Sequence, residues 1–155
     1  MEERVDAMWS FLSNRALLTL IDGGWHAERS VGIDDDVRLL KDRGYAVDET
    51  TGEILQRFHG LHLIPPEGGM SEASIDVSQA IARFDGALKE DVERAAGEPI
   101  CPIGTAGLFV LFALPSGMCV FFAQGPRVLV FVRSFAEAIE LICDCNRLPV
   151  RAEQF

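Results

Sequence analysis

The chain has 155 residues, of which 48% are hydrophobic and 25% charged, a composition typical of one folded domain with its own core. Its 24 acidic and 14 basic residues give a net charge of −10, which disfavours nucleic acid and anionic membranes as partners. No apolar run reaches membrane-spanning length and the start MEERVDAMW does not resemble a secretory signal, so we expect a cytoplasmic protein with a single domain over residues 1–155.

Helical spacing of apolar residues dominates the first third of the chain. Residues 2–21 predict one helix or two short ones, which end at Gly23-Gly24. Asp34 or Asp35 is expected to cap a second helix that continues to Gly44. A third helix is expected from about Glu49 to His59.

The middle of the chain alternates short strands and helices. LHLI is a short strand that ends at Pro65-Pro66, and residues 67–73 form a loop. SIDV is a second short strand, and helices follow up to Phe84 and over about residues 86–96.

The last third reads as a β-meander followed by a helix. The apolar runs ICPIGTA, LFVLFAL, MCVFFAQ and VLVFVRS are separated by turn residues, which predicts antiparallel strands covered by helices. Ser134 and Glu137 form a capping box that begins the final helix. The buried face of this helix is expected to contain Phe135, Ala138, Ile139, Ile142 and Cys143. The fold class is therefore α+β, with N-terminal helices and a C-terminal helix packed on the sheet.

Motifs for catalysis or metal binding do not stand out. The serines lack Gly-x-Ser-x-Gly settings, and Cys143-x-Cys145 is spaced too closely for a zinc pair. Four cysteines in apolar or helical surroundings indicate buried free thiols. We expect neither a cofactor nor a metal. A small hydrolase with a site near His59 and His62 is the least favoured alternative, and it requires a pocket beside these histidines.

The negative charge is concentrated in the first two thirds of the chain. Residues 1–98 contain 20 acids and 10 bases, whereas residues 99–155 contain four of each. Such an imbalance contributes to solubility, and it also steers basic partners toward the acidic surface.

The motifs in their order resemble the SUKH superfamily of bacterial immunity proteins, in particular its third subfamily. The resemblance covers about residues 15–147 and rests on GGW, FHGL, PIG and SFAEAIELI. Glu28 stands where the family pattern has glycine before the arginine. The matching positions, which we expect to be structural, are Gly24, Trp25, Arg29, Gly60, Leu61 and Gly104.

The resemblance implies a non-enzymatic protein that binds and neutralises a cognate polymorphic toxin domain. A basic nuclease fits the negative charge, and a regulatory or scaffold module that binds an endogenous protein is the alternative. We expect a monomer or a weak homodimer formed through exposed strand edges of the final sheet. The candidate partner-binding residues are Asp34, Asp35, Asp36, Asp48, Glu49, Glu53, Glu67 and Glu72.

Trp25 and Arg29 have two interpretations. They form an exposed aromatic–arginine anchor of the kind that dominates interfaces, or Trp25 fills the core while Arg29 pairs with a nearby carboxylate. We favour the second interpretation, because residues after a helix end commonly fix the entry of the chain into the core.

Overall fold

A computed structural model describes residues 12–147 and 149–155, which form helices and one antiparallel sheet. The helices are α1 (Asn14–Asp22), α2 (Asp34–Asp42), α3 (Glu49–Phe58), α4 (Val77–Arg83), α5 (Lys89–Ala96) and α6 (Phe135–Cys143), with a 3-10 turn at Gly86–Leu88. The strands are β1 (His62–Leu63), β2 (Ala73–Ser74), β3 (Cys101–Ala106), β4 (Phe109–Ala113), β5 (Cys119–Ala123), β6 (Val128–Val132) and β7 (Arg151–Gln154).

The sheet has seven strands in the order of the sequence, and every neighbouring pair is antiparallel. Each strand pairs with the next one along the chain, so short connections suffice for most of the sheet. This arrangement confirms the predicted α+β class with a C-terminal meander and a C-terminal helix.

Two features of the sheet differ from the prediction. The second short strand lies at Ala73–Ser74 and not over SIDV, because the Asp76 side chain accepts a hydrogen bond from Gln79 N–H at 3.0 Å and α4 begins at Val77. Strand β7 was not predicted, since Arg151–Gln154 is polar at nearly every position.

The core lies between the sheet and the helices. Every position of β3 and β5 is buried, as the expectation of covered strands requires. α4 packs on β3 and β4, and α6 packs on β5 and β6. At the end of α4, Phe84 meets the ring edges of Phe112 and Phe122 at centroid distances of 4.9 and 5.9 Å.

The first and last helices are joined by polar contacts. Ser13 caps α1, and its backbone N–H donates to Glu140 Oε1 on α6 at 2.8 Å. Residues 2–21 were expected to form one helix or two short ones; within the described chain the helix begins at Asn14, and residues 2–11 of this prediction lie outside the described residues.

The C-terminal helix follows its predicted pattern. Ser134 Oγ accepts from Glu137 N–H at 3.2 Å, and all five residues expected on the buried face are buried. Of the four free cysteines, three are buried, but Cys145 is exposed because α6 ends at Cys143. No helix of the described residues combines the length and apolar character needed to cross a membrane.

Candidate functional site

Trp25 lies in the core. Its side chain is only 6% exposed, and its ring stacks on Phe58 of α3 at a centroid distance of 6.1 Å. The backbone N–H of Trp25 donates to Leu20 O as the chain leaves α1. This placement contrasts with an exposed interface anchor and explains why a large aromatic residue follows the glycines at the end of α1.

Arg29 binds the end of α3, and the expectation that it pairs with a carboxylate is wrong. Its Nη1 donates to the carbonyl oxygen of Arg57 at 2.9 Å, and its Nη2 donates to that of His59 at 2.6 Å. Arg57 returns bonds to the carbonyls of Ala27 and Arg29. The terminal carbonyls of a helix lack intrahelical partners and carry partial negative charge, so a guanidinium satisfies them well. Burial lowers the pKa of Arg29 from its ordinary value.

The FHGL turn, residues 58–61, lies beside the Arg29 guanidinium. Gly60 has φ of +89°, and a Cβ atom there would lie 3.4 Å from Arg29 Nη2. Its N–H donates to Ile75 O at 2.7 Å, while Leu61 is buried and accepts from Ile75 N–H. Gly60 and Leu61 thus direct the chain from α3 into β1.

Gly104 allows β2 and β3 to approach closely. A Cβ atom at this position would collide with the carbonyl oxygen of Ser74 and come within 3.2 Å of Ile75 Cα. The β3–β4 register also shifts between Pro102 and Gly104. Glycine is the residue that fits a bulge beneath a neighbouring backbone. Gly24, the remaining motif glycine, lies in the exposed turn after α1.

The three consecutive aspartates occupy the first turn of α2. The helix begins at Asp34, and the preceding residue, Ile33, makes no side-chain capping bond, so the expectation that Asp34 or Asp35 is the cap is wrong. Asp34 and Asp35 are exposed, and Asp35 lies 3.6 Å from Arg38. Their carboxylates still favour the positive end of the helix.

Asp36 faces inward. Its Oδ1 is 3.3 Å from His59 Nε2, and both side chains are less than one-fifth exposed. The same nitrogen of His59 lies 3.3 Å from the backbone nitrogen of Val77, whose N–H donates to it when the ring nitrogen carries no proton. A protonated Nε2 donates to Asp36 instead, so only one of the two contacts is a hydrogen bond at a time. His59 thus lies between the end of α3 and the starts of α2 and α4.

Three candidate acids lie in or directly before α3, and their surroundings differ. Asp48 caps the helix by accepting from Thr50 N–H at 3.2 Å and from Thr51 Oγ1 at 2.5 Å. Glu53 is partly buried, and its Oε2 is covered by protein without a hydrogen-bond partner. Glu49 is exposed. Only this last side chain is free to meet a partner over its full length.

The structure divides the eight candidate acids into separate groups. Asp36 meets the C-terminal end of α3 through His59, whereas Asp48 and Glu49 lie at its N-terminal end. Ten helical residues separate these ends by about 15 Å. Glu67 and Glu72 are exposed on the loop between β1 and β2.

A polar cleft lies beside the short strands, and sequence reasoning missed it. Its volume is about 520 Å³. The polar side chains that line it are those of His62, Ser71, Glu72, Ser74, Gln79, Arg83 and Thr105. Strand register brings these residues together, since His62 pairs with Ser74 and Ser74 pairs with Thr105. Strands of two residues give no periodicity from which this register could be read.

Three side chains of the cleft lie in a row, and one of the two contacts between them is a hydrogen bond. His62 Nδ1 lies 2.9 Å from Ser74 Oγ, and His62 Nε2 lies 3.4 Å from Glu72 Oε2. Hydrolases also place a hydroxyl, an imidazole and a carboxylate in series. Here Gly107 N–H donates to Glu72 O, and the backbone groups of a strand alternate between its two sides. Ser74 is two residues after Glu72, so its N–H points toward β3 and bonds to the paired strand. That N–H is therefore not available to stabilise an oxyanion.

The two histidines do not share a site. His62 lines the cleft, whereas His59 contacts Asp36 and the start of α4. Within residues 12–147 and 149–155, no cluster of three or more histidine, cysteine or acidic side chains is arranged to hold a metal ion. The arrangement of the cleft is suited to binding polar groups through hydrogen bonds.

Comparison with known proteins identifies the family. Residues 12–143 match the family described as SUKH-3 immunity protein. Neither the curated proteins nor the solved structures contain a match. The match spans most of the chain, including the GGW, FHGL and PIG motifs and the start of the closing helix. The chain therefore belongs to the SUKH-3 immunity protein family.

Proposed function

We propose that this immunity protein binds a cognate toxin domain with a basic surface, such as a nuclease, and neutralises it without turning over a substrate. Family membership supports the immunity role. The observation that favours a basic partner is the charge distribution, because residues 1–98 carry 20 acids against 10 bases. A nuclease needs positive charge to hold phosphates, and an acidic protein is attracted to that surface.

The exposed acids on the helical part are the proposed contact residues. Asp34 and Asp35 project from the start of α2, and Glu49 projects from the start of α3. Their separation along the helical surface allows them to meet several basic groups of one partner. Asp36 and Asp48 contribute negative potential from positions that they hold for structural reasons, and Glu53 contributes from a partly buried position. Glu67 and Glu72 form a separate exposed group on the loop between β1 and β2, where Glu72 also lines the cleft.

Electrostatic complementarity acts mainly on the association rate. Charges on the rim of an interface accelerate encounter, and their effect falls as salt screens them. The proposal therefore requires an association rate that decreases steeply with ionic strength. It also requires that removal of exposed acids lowers this rate more than it raises the dissociation rate.

The test uses the purified toxin domain encoded beside the immunity gene. Surface plasmon resonance should give a dissociation constant well below micromolar, and Asp34→Asn with Asp35→Asn should lower the association rate about tenfold at low salt. The matched control is Asp42→Asn with Glu90→Gln, which removes the same charge from exposed positions outside the candidate set. Binding weaker than micromolar contradicts toxin neutralisation. Equal association rates for the two double variants contradict the assignment of Asp34 and Asp35 to the contact surface.

The cleft supports a second candidate function. A regulatory module that recognises an endogenous protein requires an exposed groove, and the cleft beside β1–β3 offers polar groups for a peptide. Gln79→Ala with Thr105→Val would then abolish capture of that partner. Under the favoured function, this variant retains toxin binding to within about threefold, since neither residue belongs to the proposed acidic contact surface.

A further inference from the structure

We propose that two copies of this chain associate through the outer edge of β7, as a symmetric antiparallel pair centred on Ala152. Strand β7 is the last strand of the sheet, and within the described residues it pairs only with β6. The partner that we propose is a second copy of this chain, because Arg151 and Glu153 lie on the same strand and can pair with each other across a two-fold axis. The inference stands independently of the toxin that the protein binds.

The hydrogen bonding of β7 determines which residues face outward. Phe155 N–H donates to Arg127 O at 3.1 Å, in the same register as the pairing of Val128 with Gln154. Backbone groups in an antiparallel ladder alternate between the two sides of a strand. Arg151 and Glu153 therefore bond to β6, whereas Ala152 and Gln154 present their N–H and C=O groups to the free edge.

This alternation restricts how two copies can pair. Outward-facing residues must oppose each other, and they lie at every second position, so the two-fold axis passes through a residue of the strand. An axis at Arg151 places arginine opposite arginine, and an axis at Glu153 places glutamate opposite glutamate. Like charges directly opposite each other destabilise an antiparallel pair.

An axis at Ala152 places Arg151 of each copy opposite Glu153 of the other. These are non-hydrogen-bonded positions of the new ladder, where facing side chains lie closest. Both side chains are almost half exposed, and they lie 3.7 Å apart within one strand. Pairing thus creates an alternating cluster of four charges. Among the registers centred within the strand, this is the one with opposite charges face to face.

Backbone bonds and apolar contacts support the same register. Ala152 of each copy exchanges both N–H···O=C bonds with the other, and Gln154 N–H meets the free carbonyl of Val150. The N–H of Val150 already donates to Phe131 O at 2.8 Å, so it does not take part. Val150 and Phe155 are 43% and 38% exposed. The pairing brings Phe155 toward residues 149–150 of the second copy, which shields part of this apolar surface.

Charge exchange tests the proposal on the full chain. Light scattering coupled to size exclusion should show a species of twice the 17.0 kDa chain mass at high protein concentration. Arg151→Glu and Glu153→Arg should each weaken dimerisation about tenfold or more, because symmetry places two like-charge pairs at the interface. The double exchange Arg151→Glu/Glu153→Arg should restore it, since opposite charges again face each other.

The single variants also control for folding. Arg151 stacks over Phe131 at 3.9 Å, so Arg151→Glu can lower stability on its own. Glu153→Arg leaves that contact in place, and circular dichroism reports whether either variant is folded. Arg43→Glu, at an exposed position after α2 and outside the sheet, should not affect the dimer.

A disulfide tests the register itself. Ala152→Cys, made with Cys145→Ser to remove the exposed native thiol, should form an intermolecular disulfide on mild oxidation, because the two Cα atoms on the axis lie about 5.5 Å apart. A chain that stays monomeric overturns the proposal. So does a dimer whose dissociation constant is unchanged by both charge reversals and which does not cross-link at residue 152. Cross-linking of this cysteine to the toxin by a chain that is monomeric alone also overturns it.

Discussion

The helical region of residues 12–98 and the sheet region of residues 99–155 differ in charge and in burial. The sheet region has four acids and four bases and contains β3 and β5, which are buried at every position. The helical region carries the excess acids of the chain on short helices, each with few buried positions. The difference indicates that burial in the sheet supplies most of the stability, while the helices present the acidic surface.

The largest expected effect lies in the sheet core. Phe112→Ala in β4 should lower the free energy of unfolding by about 3–5 kcal/mol, because it removes a fully buried ring that meets Phe84. Leu108→Ala is the control, since Leu108 is 87% exposed and lies directly before the first residue of β4. Urea unfolding measures both. Comparable losses for the two variants would contradict the assignment of stability to the buried strands.

Gly104 tests the close approach of β3 to the short strand β2. Gly104→Ala should cost about 1–3 kcal/mol, since the added methyl group must push the backbone of Ser74 and Ile75 away. Gly125→Ala is the matched control, because a Cβ atom there meets nothing within 4 Å. A smaller loss at Gly104 than at Gly125 would show that β2 and β3 have room to separate.

Arg29 tests the contact between the segment after α1 and the end of α3. Arg29→Met keeps much of the side-chain length but removes the donors to the carbonyls of Arg57 and His59, so we expect a loss of about 2 kcal/mol. Arg29→Lys should recover only part of it, since one ammonium does not reproduce the fork of a guanidinium. Arg43→Met, at an exposed position after α2, should have little effect in the same thermal or urea measurement.

These contacts also show where sequence information ends. The start of α6 was predictable because Ser134 and Glu137 form a local capping pattern, and β4 and β5 were predictable because apolar runs are rare outside a core. The partner of Arg29 was not predictable, since the backbone carbonyls that it binds have no sequence signature. Strand β7 was missed because an exposed edge strand needs no apolar alternation.

The acidic site was predictable in composition but not in arrangement. The sequence identifies the acids, but only the contact between Asp36 and His59 shows that one of three consecutive aspartates faces inward. The cleft depends on the pairing of His62, Ser74 and Thr105 across three strands, which tertiary structure alone determines.

Alkaline pH should weaken the sheet region. Burial raises the pKa of Cys119 from 9.0 to about 12, and burial together with the charge of Asp48 does the same for Cys101. Above pH 9 the unfolded thiols lose their protons while the native ones keep them, so stability present at lower pH is lost as the pH rises toward 12. Each thiol should contribute a slope on the order of 1 kcal/mol per pH unit.

Two variants separate this effect from general alkaline denaturation. Cys119→Ala should flatten the decline of the unfolding free energy between pH 9 and 11, whatever its effect at neutral pH. Val120→Ala, at the next buried position of β5, removes no titratable group and should leave the slope unchanged. Equal slopes for the wild type and Cys119→Ala would mean that this thiol does not control the alkaline limb.

The smallest expected effect on stability belongs to the acidic surface. Asp34→Asn with Asp35→Asn removes charges that favour the start of α2, but it also relieves repulsion from Asp36 and from the net charge of −10. The two effects oppose each other, and both side chains are exposed, so the free energy of unfolding should change by no more than about 0.5 kcal/mol. Urea unfolding measures this change on the same preparation that is used for toxin binding. A stable variant with slower toxin association assigns these acids to recognition. A loss of several kcal/mol would instead mean that the aspartates are needed for the stability of α2. The acidic surface and the stability of the fold would then depend on the same residues.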